Sequence, residues 1–414
     1  MTRRVVVTGL GPVSPNGCDR ETFWTSLING HSVIKELPEY SDPASGYRTR
    51  IGAAIENFTA EPYISLKESK RFSRFTQFAI VGARKAIADG HLKIEEEDKN
   101  RAGVILGTGI GGLEVAAQQA IDLKEKGPGK LNPFAANASV PSAAAAEISV
   151  LLGLKGPNLT VTTGCSAGLN AIGLAYDMIK MNRADVLISG GSETPLIPVT
   201  YATFDVSRQM SVRNELGPQA CSPFDVNRDG FVLSEGAGIV VIEELEHALK
   251  RNAYIYAEII GYGVMADAYK SYGLDPEGKG AAEAIKLALR DAGISPLDIN
   301  YICAHASSSR EGDLKETNAI KSIFKDYANK LPISSIKSVI GMPFGASGGF
   351  QLIASALAIE NSMVPPTMNL NTPDPQCDLD YVPNKPRKTN LEHVLMNSFG
   401  LGGNNSVLVI KKYS

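Results

Sequence analysis

Two stretches without a single charged residue, 156–176 and 338–359, constrain this 414-residue chain more than any other feature. Each is long enough to cross a bilayer, so a membrane helix is the first alternative to weigh. Both hold several Gly, Ser or Thr, and the second holds Pro343. That texture favours a strand running into a helix, both buried inside the protein. The two stretches also resemble each other. In the first, Leu159 to Thr163 leads to Gly164, Cys165 and a run of small residues. In the second, Ile336 to Ile340 leads to Gly341, Met342 and another small-residue run. Each predicts a β-type stretch, a Gly, one distinctive residue and the start of a helix.

Four further pairs follow in the same order: 5–11 with 258–263, 102–109 with 300–305, 185–191 with 393–400, and 238–244 with 406–412. Repetition in this order predicts an internal duplication. The halves are 1–255 and 256–414, joined near 251–256 and forming one compact body. Apolar residues at i, i+3, i+4 predict helices at 75–89, 113–126, 171–181 and 281–291. Strands alternating with helices predict an α/β layered fold with a mostly parallel sheet in each half. The uncharged helices should lie between the two sheets. Pro-rich 363–367 and 371–375, and the basic stretch 385–388, predict surface loops.

Lys+Arg 41 against Asp+Glu 44 leaves a net charge of −3, with no basic excess for nucleic acid to exploit. The five cysteines are widely spaced, without CxxC pairs, which argues against both a disulfide framework and a metal site. The opening residues, from Met1 and Thr2 to Leu10, turn polar and Gly-rich too soon for a signal peptide. A cytoplasmic protein that neither spans a membrane nor binds nucleic acid is expected.

Cys165 is the leading nucleophile candidate. A helix amino terminus offers unpaired N–H groups that favour thiolate over thiol and can hold an oxyanion. A buried structural cysteine is the competing reading. Cys18, Cys221, Cys303 and Cys377 lack the strand–Gly–Cys–small setting and read as structural. His305 ends the apolar run that starts at Tyr301, where sites open in α/β folds. It reads either as an acid–base group or as a satisfied core histidine. His31, His91, His247 and His393 are weaker candidates. Gly107-Thr108-Gly109-Ile110-Gly111-Gly112 fits a dinucleotide fingerprint but lacks the acidic strand-end partner. Asp225 to Gly230 opens like a calcium loop, but its closing Glu235 arrives one position early, which favours a salt-bridged turn.

Assembled, these residues resemble an elongating β-ketoacyl-acyl-carrier-protein synthase of the thiolase superfamily, from one end of the chain to the other. The version of the nucleophile motif around Cys165 is similar to that of type II polyketide ketosynthase subunits. The stretches Ser222 to Asp225, Arg228 to Phe231 and Glu235 to Gly238 carry a strong family signature. The resemblance implies a duplicated five-layer α-β-α-β-α fold, usually dimeric. It implies acyl transfer from a carrier phosphopantetheine to Cys165, then condensation with a malonyl thioester, with no separate cofactor. His305 matches the first catalytic histidine. Lys337, Asp313 and Glu316 match polar residues that structure the site. Phe399 and Leu401 belong to a gating loop, and Ser307 and Ser309 line the substrate path. Lys67, Lys70, Arg71 and Arg208 match a patch for an acidic acyl carrier protein.

The family's second histidine falls five residues after the lysine, and here that position is Met342. A thioether donates no hydrogen bond and carries no proton. Losing half of an oxyanion hole costs about 2.7–4 kcal/mol, or about 10²–10³ in rate. Ala306 replaces a glycine, Ser307 and Ser309 replace threonines, Leu401 replaces the gating phenylalanine, and Asn404 replaces a threonine. The resemblance therefore leaves three readings. One is a specialised condensing enzyme of polyketide or fatty-acyl synthesis. The second is an acyltransferase that loads without extending. The third is a partner subunit, in a heterodimer rather than a homodimer, that shapes another ketosynthase's cavity.

Overall fold

The computed structural model describes residues 3–270 and 274–414. Met1 and Thr2 of the opening run lie outside the described residues. Ten strands carry the core. In the first half these are β1 (Val5–Val13), β2 (Ala102–Gly107), β3 (Asn158–Val161), β4 (Val186–Glu193) and β5 (Gly236–Glu244). In the second they are β6 (Ala257–Ala266), β7 (Tyr301–Cys303), β8 (Ile333–Ser334), β9 (His393–Gly400) and β10 (Asn404–Lys411). Their spatial order is β8-β7-β9-β10-β6-β1-β5-β4-β2-β3. Reading outward from the centre, β1, β5, β4, β2, β3 repeat as β6, β10, β9, β7, β8. The duplication seen in the sequence is thus a repeated topology.

Two expectations about the sheets need correction. Neither half is mostly parallel. Parallel pairs (β2 with β3 and β4, β7 with β8 and β9) lie on the outer side, and the inner pairs are antiparallel. Nor are the sheets separate. Val5, Val6 and Val7 pair antiparallel with Ile259, Glu258 and Ala257, joining the halves into one ten-stranded ribbon. Each half would otherwise expose an unpaired edge there.

The amphipathic helices cover the outer faces. α1 (Arg74–Asp89) and α3 (Ala143–Leu152) share one apolar core with the first half, while α2 (Leu113–Lys126) is peripheral. α5 (Lys279–Ala292) and α6 (Arg310–Phe324) share another with the second half. Between the two halves of the ribbon lie α4 (Ala167–Lys180) and α7 (Ser347–Asn361), whose apolar side chains join strands of both halves in the central core. This is the duplicated five-layer α-β-α-β-α architecture. The two uncharged stretches are therefore strand, turn and interior helix. No helix among the described residues is long and apolar enough to cross a membrane.

Two local readings also differ. The run after Ile336 is not a strand but one helical turn, Lys337–Ile340. Ser335 Oγ accepts the Lys337 N–H at 3.3 Å, and Gly341 ends the turn at φ 72. Segment 364–367 is buried rather than a surface loop. Val364 pairs with Arg387, and the Thr367 N–H donates to the Val382 carbonyl at 2.9 Å, so 381–388 covers it.

Candidate active site

Cys165 sits where β3 turns into α4. Gly164 adopts φ +60, which glycine tolerates without strain, and Gly164–Ser166 forms a 3-10 turn. Ser166 Oγ donates to the Thr163 carbonyl at 2.9 Å, and Asn170 Nδ2 donates to Thr163 Oγ1 at 2.7 Å, fixing the turn. Cys165 is 6% exposed. Its own amide and that of Leu401 face the sulfur. Ser398 Oγ donates to the Cys165 carbonyl at 3.1 Å, so the end of β9 is fastened to the Cys165 turn.

The helix terminus does not make this sulfur a resting thiolate, contrary to the sequence expectation. Burial pushes the thiol up to about 12, and Lys337 and the Leu401 amide only partly offset it. Deprotonation therefore needs a nearby proton acceptor.

His305 follows β7 and is 8% exposed. Its backbone is held from both ends: its N–H donates to Glu316 Oε1 at 2.9 Å, and its carbonyl accepts from Lys337 Nζ at 2.5 Å. The Ala306 N–H donates to Glu316 Oε2 at 2.7 Å, and Asn397 Nδ2 donates to Glu316 Oε1 at 2.8 Å. The ring meets Phe399 at 5.8 Å between centroids, and Nδ1 has no hydrogen-bond partner among the described residues. Burial, then the charges of Lys337 and Lys315, hold the imidazole well below its usual value, so it is neutral. Asp313 lies behind it. It accepts the Ser307 and Phe224 N–H groups at 3.1 and 3.0 Å, and burial raises it to about 7.

A cavity of about 410 Å³ brings most of the sequence-derived residues together. Cys165, His305, Met342, Phe399, Leu401, Ser307, Ser309 and Arg208 all line it. Met342 is 2% exposed and packs in one apolar cluster with Cys165, Phe231 and Phe344. Lys337 and Glu316 lie behind the wall and act on His305 through its backbone. Lys67, Lys70 and Arg71 are exposed but do not line the cavity, and Arg71 instead lies over the Phe134 ring at 4.9 Å. His31, His91, His247, His393 and the other four cysteines are also absent from its wall.

The two motifs set aside have structural explanations. The N–H groups of Gly109 and Ile110, which a phosphate would need, donate to the buried Glu193 carboxylate. The calcium-like loop is a salt-bridged turn. Arg228 pairs with Asp374 at 2.7 Å and Asp313 at 3.5 Å, while Asp225 accepts the Asn371 and Thr372 N–H groups.

Comparison with known proteins identifies the family. The family described as beta-ketoacyl synthase, N-terminal domain, matches residues 2–248, and the corresponding C-terminal domain matches 256–371. The chain belongs to the β-ketoacyl synthase family. It is 43% identical over 411 residues to 3-oxoacyl-[acyl-carrier-protein] synthase 2 of Staphylococcus aureus strain COL, covering 99% of both chains. It superposes with TM-score 0.93 at 34% identity, over 100% of both chains, on a type II PKS acyl-carrier protein in complex with its ketosynthase bound to the hexaketide. The ishigamide ketosynthase/chain length factor gives TM-score 0.91 at 31% identity, again over 100% of both chains.

Sequence reasoning missed several residues of this ketosynthase-family site. Phe231, Leu274, Phe344, Arg310 and Lys315 also line the cavity. Glu193 bonds the 108–110 loop and accepts the Gly345 N–H at 3.0 Å, tying the two halves together beside Cys165. Its signal was available: a lone acid ends the apolar run of β4, at the strand end where sites open. Lys315 left no such signal, because a lysine on an amphipathic helix ordinarily faces solvent.

Proposed function

We propose that the chain is an acyl-carrier-dependent condensing enzyme in which Cys165 takes the acyl group and His305 moves protons. One observation carries this reading. Cys165 and His305 line one cavity, with two backbone amides turned toward the sulfur. Both groups start neutral, so the thiol proton passes to the imidazole as sulfur attacks the thioester carbonyl. The amides of Cys165 and Leu401 hold the tetrahedral oxyanion, and collapse expels the carrier thiol. A malonyl thioester then loses CO2. The electrons of the broken C–C bond form an enolate, which attacks the acyl-Cys165 carbonyl and releases the enzyme sulfur. Lys337 and Glu316 position His305. Phe399, Leu401, Ser307 and Ser309 bound the substrate path. Phosphopantetheine on the carrier supplies the thioester, and no separate organic cofactor takes part.

Arg208 at the cavity wall, with Lys67, Lys70 and Arg71 on the exposed surface nearby in sequence to the α1 start, supports docking of an acidic acyl carrier protein. Assembly with a second ketosynthase-like chain, identical or not, belongs to the same reading. A fatty-acyl or, preferably, a specialised polyketide product fits the retuned cavity.

Met342 favours a second reading. With a buried thioether where a donor is expected, Cys165 loads but decarboxylative extension fails. Intact mass separates the two. The protein is incubated with an acyl-carrier thioester and then with malonyl carrier protein. Acyl-Cys165 plus a product two carbons longer supports condensation. Acyl-Cys165 without extension supports loading alone. No acyl-enzyme at all rejects both, and leaves the partner-subunit role.

A further inference from the structure

A buried lysine lines the cavity without any part in the chemistry above. Lys315, on α6, is 1% exposed. Its ammonium donates to Asp267 Oδ2 at 2.6 Å and to Asn405 Oδ1 at 3.0 Å, and it sits 5.4 Å from the Phe399 ring centroid. The Asp267 side chain is equally buried. A paired ion in this setting is weak evidence of fold stability, because an apolar pair of similar volume often serves the fold as well or better. Its neighbours suggest another purpose.

Asp267 and Asn405 both grip the turn that follows Phe399. The Asp267 N–H donates to the Gly403 carbonyl at 2.8 Å, and Asn405 Nδ2 donates to the same carbonyl at 3.0 Å. Asn405 Nδ2 also donates to Asp267 Oδ1 at 2.7 Å. Gly403, at φ +81, lies so close that a Cβ would come within 2.6 Å of Asp267 Cβ. Two residues back in this turn is Leu401, whose amide faces the Cys165 sulfur. Lys315, Asp267 with Asn405, Gly403 and Leu401 thus form one continuous chain of contacts to the nucleophile.

We propose that Lys315 is a positioning residue: through Asp267 and Asn405 it holds the 400–403 turn, and with it the Leu401 amide, against Cys165. Two of its three N–H groups serve the latch, and its charge lies beside the Phe399 ring, which closes the same wall. Burial, then the charges of Lys337 and Lys315, hold the His305 imidazole down, and Glu316 accepts the His305 N–H. The catalytic half of this inference rests on the acyl-transfer reading. The latch itself does not.

Two reactions of Cys165 separate them. Acylation by a small acyl thioester passes through an oxyanion and needs the Leu401 amide. Alkylation forms no oxyanion. We would compare the full chain with Lys315→Met, and with Lys315→Met/Asp267→Asn in case the single variant leaves Asp267 buried and unpaired and fails to fold. Thermal melting checks the fold, and peptide mass mapping follows Cys165 alone. In the folded variant, labelling by N-phenylmaleimide should rise on the order of tenfold, while iodoacetamide labelling rises less. Acylation should fall by a similar factor, the shift expected from losing about one hydrogen bond's worth of hold on the turn. Wild-type maleimide labelling in a folded variant overturns the latch. Faster labelling with undiminished acylation overturns the role of the Leu401 amide. If the parent protein itself takes no acyl group, the acyl-transfer reading fails, and the labelling comparison still decides the latch.

Discussion

The two halves build the same turn and use it differently. In the first, β3 runs through Gly164 at φ +60 to Cys165, and α4 starts two residues later. In the second, β8 is followed by the Lys337–Ile340 turn, Gly341 at φ +72 and Met342, and α7 starts only at Ser347. The backbone bonds differ as well. The Met342 N–H donates to the Val232 carbonyl at 2.7 Å, and its carbonyl accepts the Ser234 N–H at 3.0 Å, as in a strand bridge. The Cys165 amide has no carbonyl partner among the described residues and faces its own sulfur. One turn leaves its N–H without a carbonyl partner among the described residues, whereas the other spends it on the fold. The two halves thus hold similar frames, and the proposed chemistry falls on the one with a free amide.

This asymmetry is broken most directly at the two distinctive side chains. Cys165→Ala should abolish acyl-enzyme formation, lowering turnover by at least about 10⁴-fold as loss of a covalent nucleophile does. Met342→Ala should leave Cys165 loading within about tenfold, its main cost being a cavity worth about 2–5 kcal/mol of stability. Intact mass after thioester incubation, with melting curves, checks both. Equal loss of loading in the two variants would mean the turns contribute alike.

Met342→His tests whether the second frame lost a function. If the missing donor limits extension, the variant should gain about 10²–10³ in formation of the two-carbon-longer product, the value of one oxyanion donor. Loading of Cys165 should change little. Product analysis with malonyl carrier protein measures it, and an unchanged extension rate would put the limit elsewhere in the cavity.

How much of this was readable from the chain follows from what each feature depends on. The paired apolar runs preserve strand order, so the repeated topology and the interior helices α4 and α7 were legible. Cys165 and His305 were legible because each ends an apolar run at a strand end. The strand reading of 336–340 failed because a short apolar run carries no period, and a single Ser335 cap decides it. The burial of Pro365 and Pro366 depends on cover from 381–388, which no local pattern announces. Lys315, Asp267 and Asn405 are far apart in sequence, and only the folded chain, with α6 packed on α5 and α5 on β6 and β10, makes them one cluster. The thiolate expectation failed for the same kind of reason: a helix terminus is a local feature, whereas burial belongs to the whole fold.

A milder test of the two frames lies at Glu193, which joins them. Its carboxylate accepts Thr108 Oγ1 at 2.8 Å and the Ile110 N–H at 3.2 Å from the first half, and the Gly345 N–H at 3.0 Å from the second. A glutamine turns an N–H₂ group toward donors on one side, so Glu193→Gln should cost about 1–3 kcal/mol. Burial raises Glu193 to about 7 from 4.5. The native state therefore keeps a proton that the unfolded chain releases at 4.5, and this group's contribution to stability falls as pH rises from 4.5 to 7. Glu193→Gln should flatten that part of the stability profile, which urea melts across the range would show.

The smallest effect concerns the inner strand pairs, where the halves carry opposite charge. At the end of β5, Glu243 accepts from Arg251 and from His247 Nδ1 at 2.7 Å, and His247 Nε2 bonds Glu97 at 2.9 Å. At the matching end of β10 the residue is Lys411, paired with Glu258 of β6 at 3.1 Å. Burial works against the Glu243 charge, but Arg251, His247 and Thr8 outweigh it and bring the group down to about 2 from 4.5. Glu243 and Glu97 raise His247 to about 9 from 6.5. The carboxylate's contribution is present above 4.5 and is lost as pH falls toward 2. The imidazolium's is present below 6.5 and is lost as pH rises toward 9. Their joint contribution is therefore greatest between pH 4.5 and 6.5. His247→Gln should lower the melting temperature most in that window and least near pH 9. A constant deficit for His247→Gln across pH 5 to 9 would mean that His247 acts by packing, and that the charge difference between the two halves carries no pH dependence.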